Sequence, residues 1–355
     1  MTQKVALIMA GGTGGHIFPG LAVAEELRAR GWRVHWLGTA GSMEARIVPP
    51  HGFAFETIEF SGVRGKGVLT LALAPLRLLR ALAQSWRLLR RIRPDVVVGL
   101  GGYVTFPGGL MASATGCPLV IHEQNSVPGM ANRLLALVAE RVFTAFPEVL
   151  KKGRWVGNPL RAAFTRQAGP AERFAGRSGS LKLLVVGGSL GAQALNEIVP
   201  QALALLPEAQ RPMVTHQSGA AQIERLRANY QAAGVQATLT PFIDDTASAY
   251  AEADIIVCRA GASTVTEIAA VGAAAVFVPF PHAVDDHQSA NARFLVDAGG
   301  GWLVPQRDLT PQGLAELLSK MQRSALVQCA LEAKKMQKTQ AAREVALACE
   351  ELAAR

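Results

Sequence analysis

The chain lacks any apolar run of the roughly 18 to 20 uncharged residues that a membrane-spanning helix requires, although 50% of its 355 residues are hydrophobic. Cysteine is scarce: Cys117, Cys258, Cys329 and Cys349 lie far apart and form no CxxC pair. That spacing argues against a disulfide framework or a zinc site and for buried, reduced thiols. Aromatic residues make up 6%, and no known reading motif accompanies them, so a nucleic-acid binder built on stacking platforms is not expected. No small-x-small cleavage site follows the opening Met1–Ala10, which carries one lysine and runs straight into glycines. It reads as a first core strand rather than a signal peptide, and a cytoplasmic protein is expected. Acidic residues are absent altogether between Glu59 and Asp95.

The net charge of +9 is unevenly placed. Residues 1–160 hold 18 Lys and Arg against 9 Asp and Glu, whereas residues 161–355 hold 18 of each. A basic first half suits an anionic partner: a nucleic acid, an anionic membrane or a phosphorylated substrate.

The length suits two domains, and the pattern repeats accordingly. VALIMA, a continuous apolar run typical of a buried parallel strand, leads into GGTGG (Gly11–Gly15), Pro19, a helical stretch from Leu21 to Arg30 and a strand at Val34–Leu37. Apolar and helical segments then alternate through Asp95-VVVGL and Cys117-PLVIHE, a βαβ series. The pattern pauses near Gly157-Asn158-Pro159 and at the polar stretch around Gly169-Pro170 and Gly176–Gly179. Leu181-KLLVV, GGSLG (Gly187–Gly191) and a helix from Ala192 to about Leu206 restart the plan, followed by Asp254-IIVCRAGASTVTEIAAVG and Ala274-AVFVPFP. Two doubly wound α/β domains are predicted, with ligands beyond the carboxyl ends of their strands.

A glycine turn between strand and helix either serves tight packing or lets backbone N–H groups meet an anion. GGTGG is not a Walker loop, because neither GKS nor GKT follows. An ordinary dinucleotide site is also excluded, because Trp36-LGTAG has no acid to hold a ribose. His16 directly follows the first turn, where it is either structural or able to take a proton from a sugar hydroxyl. In the second half Ala262-Ser263-Thr264-Val265-Thr266-Glu267 opens a helix. Its hydroxyls suit N-capping or diphosphate binding, and the Glu267 carboxylate suits a ribose. His282, Asp285, Asp286, His287, Gln288 and Asn291 form a polar loop without a helical HxxxH pair, which fits sugar recognition better than a metal.

Taken in order, GGTGGHIFPGLAVAEEL, SGVRGKG, GGYVTFPGG, HEQNSVPG, VGNPLR, VVGGSLGAQALN, RAGASTVTE and PHAVDDHQSANA resemble the motifs of the MurG family. Its members are UDP-N-acetylglucosamine:N-acetylmuramyl-(pentapeptide) pyrophosphoryl-undecaprenol N-acetylglucosaminyltransferases. The resemblance runs from Lys4 to about Asn291. It implies a GT-B fold, two Rossmann-like domains facing across a cleft, here 1–162 and 163–339, with residues 340–355 returning as a helix to the first domain. The implied reaction transfers GlcNAc from UDP-GlcNAc to the 4-hydroxyl of the undecaprenyl-linked muramyl-pentapeptide, with inversion and without a cofactor or metal. Carried over by position, the donor contacts are Thr13, Gly14, Gly15, Asn125, Arg161, Ser189, Ile243, Ala262, Ser263, Thr264, Val265, Thr266, Glu267 and Gln288. The implied roles are Ile243 for uracil, Glu267 for ribose and Gln288 for the GlcNAc hydroxyls. Ser189, the GGSLG amides and Ala262–Thr264 would stabilise the departing diphosphate. His16 is the expected general base and Glu123 its competitor, with orientation of Asn125 as the other role open to Glu123.

The resemblance also gives the acid-free stretch a partner. Arg64, Lys66, Arg77, Arg80, Arg87, Arg90, Arg91 and Arg93 interleave there with Leu69, Leu71, Leu73, Leu76, Leu79, Leu82 and Trp86. Leu76, Leu79, Leu82 and Trp86 keep helical spacing. Apolar residues ringed by Arg77, Arg80 and their neighbours describe a helix lying on an anionic lipid surface, here the cytoplasmic face of the inner membrane. An ordinary core-facing helix with solvated arginines is the competing reading. The rival functions are a diacylglycerol galactosyltransferase, a UDP-GlcNAc 2-epimerase, or a non-catalytic sugar-nucleotide-binding subunit that recruits partners to the membrane.

Overall fold

The computed structural model describes residues 3–60, 73–188, 190–281, 283 and 286–354. Ser189, the SGVRGKG segment with Arg64 and Lys66, Leu69, Leu71, His282 and Asp285 therefore lie outside the described residues. The chain divides into two compact units, Met1–Arg161 with Lys338–Arg355, and Ala162–Gln337.

In the first unit, strands β1 (Val5–Met9), β2 (Arg33–Gly38), β3 (Ala54–Thr57), β4 (Val96–Gly99), β5 (Leu119–Glu123), β6 (Arg141–Thr144) and β7 (Arg154–Trp155) form one sheet. Their order is β3-β2-β1-β4-β5-β6-β7, and every pairing is parallel. Parallel strands covered on both faces must be apolar throughout, which is why β1, β4 and β5 are buried at every position. One face carries the helix Gly14–Ala29 and, beside it, the helix Ala341–Leu352, whose Ala341, Val345, Ala346, Ala348, Cys349 and Leu352 complete that core. On the other face, core residues come from the helices Ala74–Ile92, Thr105–Ala114 and Met130–Leu135.

The helix predicted to begin at Leu21 begins at Gly14. Pro19 lies inside it, in the second turn, where it gives up the N–H bond to the Gly15 carbonyl. His16 is thereby a residue of the first helical turn.

The second unit repeats the plan with β8 (Lys182–Val186), β9 (Met213–Gln217), β10 (Thr238–Thr240), β11 (Ile255–Cys258), β12 (Ala275–Phe277) and β13 (Trp302–Leu303). The order is β10-β9-β8-β11-β12-β13, again all parallel. In each sheet the order reverses beside its first strand, between β1 and β4 and between β8 and β11. Loops leaving the carboxyl ends of such strands diverge and open a crevice. Both glycine turns sit there. No helix among the described residues is long and apolar enough to cross a membrane.

Candidate active site

At the crevice of the first unit, the GGTGG turn after β1 rests on Gly101 and Gly102 after β4. The Gly11 N–H donates to the Gly101 carbonyl at 3.3 Å. A side chain at Gly102 would place its Cβ 2.4 Å from the Gly11 oxygen, and its φ of +91° is in the left-handed region, so glycine is required there. His16 stands over Gly101, where a Cβ would come within 2.9 Å of Nε2. Its Nδ1 lies 3.0 Å from the Gly11 carbonyl and 3.5 Å from Thr13 Oγ1. A carbonyl can only accept, so Nδ1 carries the proton and Nε2 is the basic nitrogen. The first turn also encloses a carboxylate unforeseen from the sequence. Glu44, 2% exposed, accepts from the N–H groups of Gly12 at 3.0 Å and Thr39 at 3.1 Å.

Glu123, at the end of β5, is also 2% exposed. Its Oε1 accepts from the Asn125 N–H at 2.9 Å and the Asn125 amide at 3.4 Å. Its Oε2 accepts from the Gly129 N–H at 3.1 Å and the Asn132 amide at 2.8 Å. Both oxygens are thus engaged in holding the loop that presents Asn125, an arrangement suited to positioning rather than to proton abstraction. Beside it, His122 Nε2–H donates to the Gly157 carbonyl at 2.8 Å, and burial pushes the imidazole down to about 4. Arg161 lies over the Phe18 ring, 5.6 Å from its centroid.

In the second unit a cavity of about 620 Å³ lies between Gly187, Gly188, Leu190 and Gly191 and the loops after β11 and β12. Its walls include Arg259, Thr264, Phe280, Gln288 and Gln306. The helix Ala262–Val271 points its N-terminus here, with Gly261 as cap and no side-chain cap bond. First-turn N–H groups so placed are an anion site. The Ser263 hydroxyl is buried beside them without a hydrogen-bond partner. The second glycine turn is held by its carbonyls. Gln217 donates to Gly188 O at 2.9 Å and Gln222 to Leu190 O at 3.2 Å, which turns those dipoles away from an incoming anion. Gln222 is fixed in turn by Asn196 at 2.9 Å. Asn196 Oδ1 accepts from His216 Nε2 at 3.1 Å, and His216 Nδ1 accepts from the Tyr230 hydroxyl at 3.0 Å. Burial pushes His216 down to about 3, so the network beneath the turn stays uncharged.

Of the predicted donor residues, Thr264 and Gln288 line this cavity. Gln288 Oε1 accepts from Phe280 N at 2.9 Å and Ala260 N at 3.3 Å, tying the loop after β11 to the loop after β12. Ala262, Ser263, Val265, Thr266 and Glu267 belong to the adjoining helix. Val265 is fully buried, and the Thr266 hydroxyl is spent on the Ala262 carbonyl at 2.9 Å, so both shape the helix rather than face a ligand. Ile243 follows β10, and its carbonyl accepts from the Thr246 hydroxyl at 3.2 Å. Arg259 was not foreseen as a site residue. It donates to the carbonyls of Val278 at 3.0 Å and Pro279 at 3.1 Å and to Gln306 at 2.6 Å, and desolvation lowers its pKa. It lies inside the RAGASTVTE motif, and its position at the end of β11 was the signal.

The helix Ala74–Ile92 buries Ala81, Ser85, Leu88 and Leu89 against the helix Thr105–Ala114 and the sheet. Leu76 and Leu79 are 65% and 63% exposed, and Trp86 is 44% exposed. These three are not core residues, contrary to the core-facing alternative. Leu82 is half-buried and departs from the predicted stripe. Arg90 stacks on Trp86 with 5.3 Å to the ring centroid, Arg80 pairs with Glu59 at 2.8 Å, and Arg91 pairs with Glu56.

Residues 6–144 match the glycosyltransferase family 28 N-terminal domain and residues 182–348 the family 28 C-terminal domain. The chain is 76% identical over 351 residues to the UDP-N-acetylglucosamine–N-acetylmuramyl-(pentapeptide) pyrophosphoryl-undecaprenol N-acetylglucosamine transferase of Paracidovorax citrulli, covering 99% of each. It is 61% identical over 352 residues to the same-named protein of Aromatoleum aromaticum, again with 99% of each covered. The crystal structure of Acinetobacter baumannii MurG superposes with a TM-score of 0.87 at 41% identity, over 98% of this chain and 99% of that one. The UDP-GlcNAc 2-epimerase of Neisseria meningitidis, at 13% identity and a TM-score of 0.68 over 98% and 100% of the two chains, shares the fold alone. The chain belongs to glycosyltransferase family 28 and, within it, to the MurG family of N-acetylglucosaminyltransferases.

Proposed function

We propose that this protein transfers N-acetylglucosamine from UDP-GlcNAc to the 4-hydroxyl of the undecaprenyl-diphosphate-linked muramyl-pentapeptide, a step of peptidoglycan synthesis. The observation that carries the reading is the 76% identity to a transferase of that name across 99% of both chains.

The second unit takes the donor. Its diphosphate sits between the second glycine turn and the N-terminus of the helix Ala262–Val271, with Arg259 drawing the cavity wall together. Ser263 and Thr264 add hydroxyl donors, and Ser189 adds another. Preorganised N–H groups favour the charge that grows on the departing UDP and need no reorganisation as the bond breaks. Glu267 accepts the ribose hydroxyls one turn along, the Ile243 backbone meets uracil, and the Gln288 amide, oriented by its two backbone bonds, donates to the sugar. In the first unit, His16 Nε2 accepts the proton of the acceptor 4-hydroxyl while that oxygen attacks the anomeric carbon and inverts it. Thr13, Gly14, Gly15, Asn125 and Arg161 are the first unit's contacts to the donor. Glu123 acts only through Asn125 and its loop.

The exposed Leu76, Leu79 and Trp86 with the surrounding arginines dock the first unit on the anionic cytoplasmic face of the inner membrane, where the lipid acceptor lies. The test is transfer of labelled GlcNAc from UDP-GlcNAc to a short-chain lipid-linked muramyl-pentapeptide. A β-linked disaccharide is expected. UDP-GlcNAc consumption without transfer, or epimerisation at C2, would refute the proposal.

A further inference from the structure

The Gly11–Gly12 peptide bond joins two side chains that the sequence holds 28 residues apart. The Gly11 carbonyl accepts from His16 Nδ1–H at 3.0 Å. On the other side of the same planar amide, the Gly12 N–H donates to Glu44 Oε2 at 3.0 Å. The second carboxylate oxygen is pinned by the Thr39 N–H at 3.1 Å. The glycines make the niche. A Cβ at Gly11 would stand 2.7 Å from Glu44 Oε1, and one at Gly38 would stand 2.7 Å from Glu44 Cγ. The short helix Met43–Ile47 is set by Ser42, whose hydroxyl accepts from Ala45 N at 3.3 Å and donates to the Thr39 carbonyl at 2.6 Å. Glu44 is held from both directions.

We propose that Glu44 is the positioning residue of His16, acting through the intervening peptide group; this rests on the reading of His16 as the base. In a trans amide the N–H and C=O point in opposite directions, so a carboxylate accepting at one end polarises the carbonyl at the other. Chained hydrogen bonds strengthen one another in this way. The stronger acceptor at Gly11 fixes the Nδ1–H tautomer and leaves Nε2 as the nitrogen that receives the acceptor's proton. When that proton arrives, the imidazolium charge is met by the carboxylate across one amide. The arrangement does the work of an aspartate bonded directly to a catalytic histidine, with a peptide group as the middle member. It also specialises the first glycine turn: the Gly12 N–H already carries the protein's own anion.

Glu44→Gln is the test variant. Either orientation of the amide sets its NH2 against the N–H of Gly12 or of Thr39, so one donor loses its acceptor. With the short-chain lipid-linked acceptor, kcat is expected to fall about tenfold or more, while the KM for UDP-GlcNAc, set chiefly by contacts in the second unit, stays within about twofold. Histidine 15N spectra, with the His16 signal assigned by difference from His16→Ala, are expected to move from the Nδ1–H form toward a tautomer mixture. Wild-type kcat with an unchanged tautomer overturns the proposal, as does a donor KM that rises in step with the loss of kcat. Should Glu44→Gln fold poorly, Glu44→Ala opens the niche to formate. Recovery of kcat by formate, and not by chloride at equal ionic strength, supports the relay; no recovery overturns it. If His16→Ala keeps most of its turnover, the base reading fails by itself, while the tautomer response of Glu44→Gln still reports whether the relay exists.

Discussion

Replacing Glu123 with alanine separates the two roles open to that residue. The carboxylate is 2% exposed and accepts from Asn125 N, the Asn125 amide, Gly129 N and the Asn132 amide. A net bond to a charged group is worth about 1.5–3 kcal/mol, and the 3.4 Å contact adds little. Water entering the vacated space recovers part of the rest, so the expected cost is about 3–5 kcal/mol, the range for breaking a buried charged cluster. For a folding unit of 150–250 residues, about 2–4 °C accompanies each kcal/mol, which places the loss of melting temperature at roughly 6–20 °C. Activity on the short-chain acceptor should fall along with the ordering of the Asn125 loop. Glu123→Gln should lose less, because the Asn132 amide, whose oxygen has no partner, can rotate to accept from the new NH2. Calorimetry and turnover on the same preparations check this. A Glu123→Ala protein that melts like wild type yet loses as much kcat as His16→Ala would refute the positioning role and make Glu123 the base.

Glu267→Ala should weaken UDP-GlcNAc binding by about 1.5–3 kcal/mol in titration calorimetry, and an unchanged donor affinity would remove Glu267 from the ribose. Replacing Leu76 and Leu79 with serine should leave the melting temperature and short-chain turnover nearly unchanged, because both side chains are exposed. Sedimentation with anionic vesicles should fall, and normal vesicle binding would end the membrane reading. His122 and His216 are buried neutral, with values pushed down to about 4 and about 3. Below the unfolded value near 6.5 only the unfolded chain takes up these protons. Each histidine's contribution is therefore full above pH 6.5 and is lost as pH falls toward its folded value, by about 1.4 kcal/mol per pH unit. Urea unfolding at pH 7 and pH 5 should differ by about 2 kcal/mol per histidine, and His122→Asn should flatten that slope in the first unit.

Repeated apolar strands followed by glycine turns were legible because parallel strands buried on both faces cannot alternate with polar residues. The start of the first helix was not. Gly14, Gly15 and Pro19 read as breakers, yet the helix runs through all three, with the glycines in its opening turn and Pro19 in the next. Leu82 was misplaced for a related reason. Spacing groups it with Leu76, Leu79 and Trp86, but the face the helix turns inward runs through Ala81, Ser85, Leu88 and Leu89, which puts the neighbouring Leu82 at its edge, half-buried. Arg259 and Gln288 were visible in motifs that end strands or begin helices. Glu44 left no local trace, because what gives it meaning is Gly12, which only the β1–β2 pairing brings alongside.

The helix Ala341–Leu352 fills the first unit's core beside the helix Gly14–Ala29, and this sets a timetable for synthesis. Residues through Arg161 leave the ribosome with one face of their sheet incompletely covered. About 180 further residues, enough to form the whole second unit, must be made before the missing helix emerges. At roughly 5–20 residues per second the wait is about 9–36 s. During that interval the helix Gly14–Ala29 borders an unfinished apolar surface. The second unit, continuous in sequence, is free to reach its native state first, so the half of the enzyme translated later is the half that finishes folding earlier.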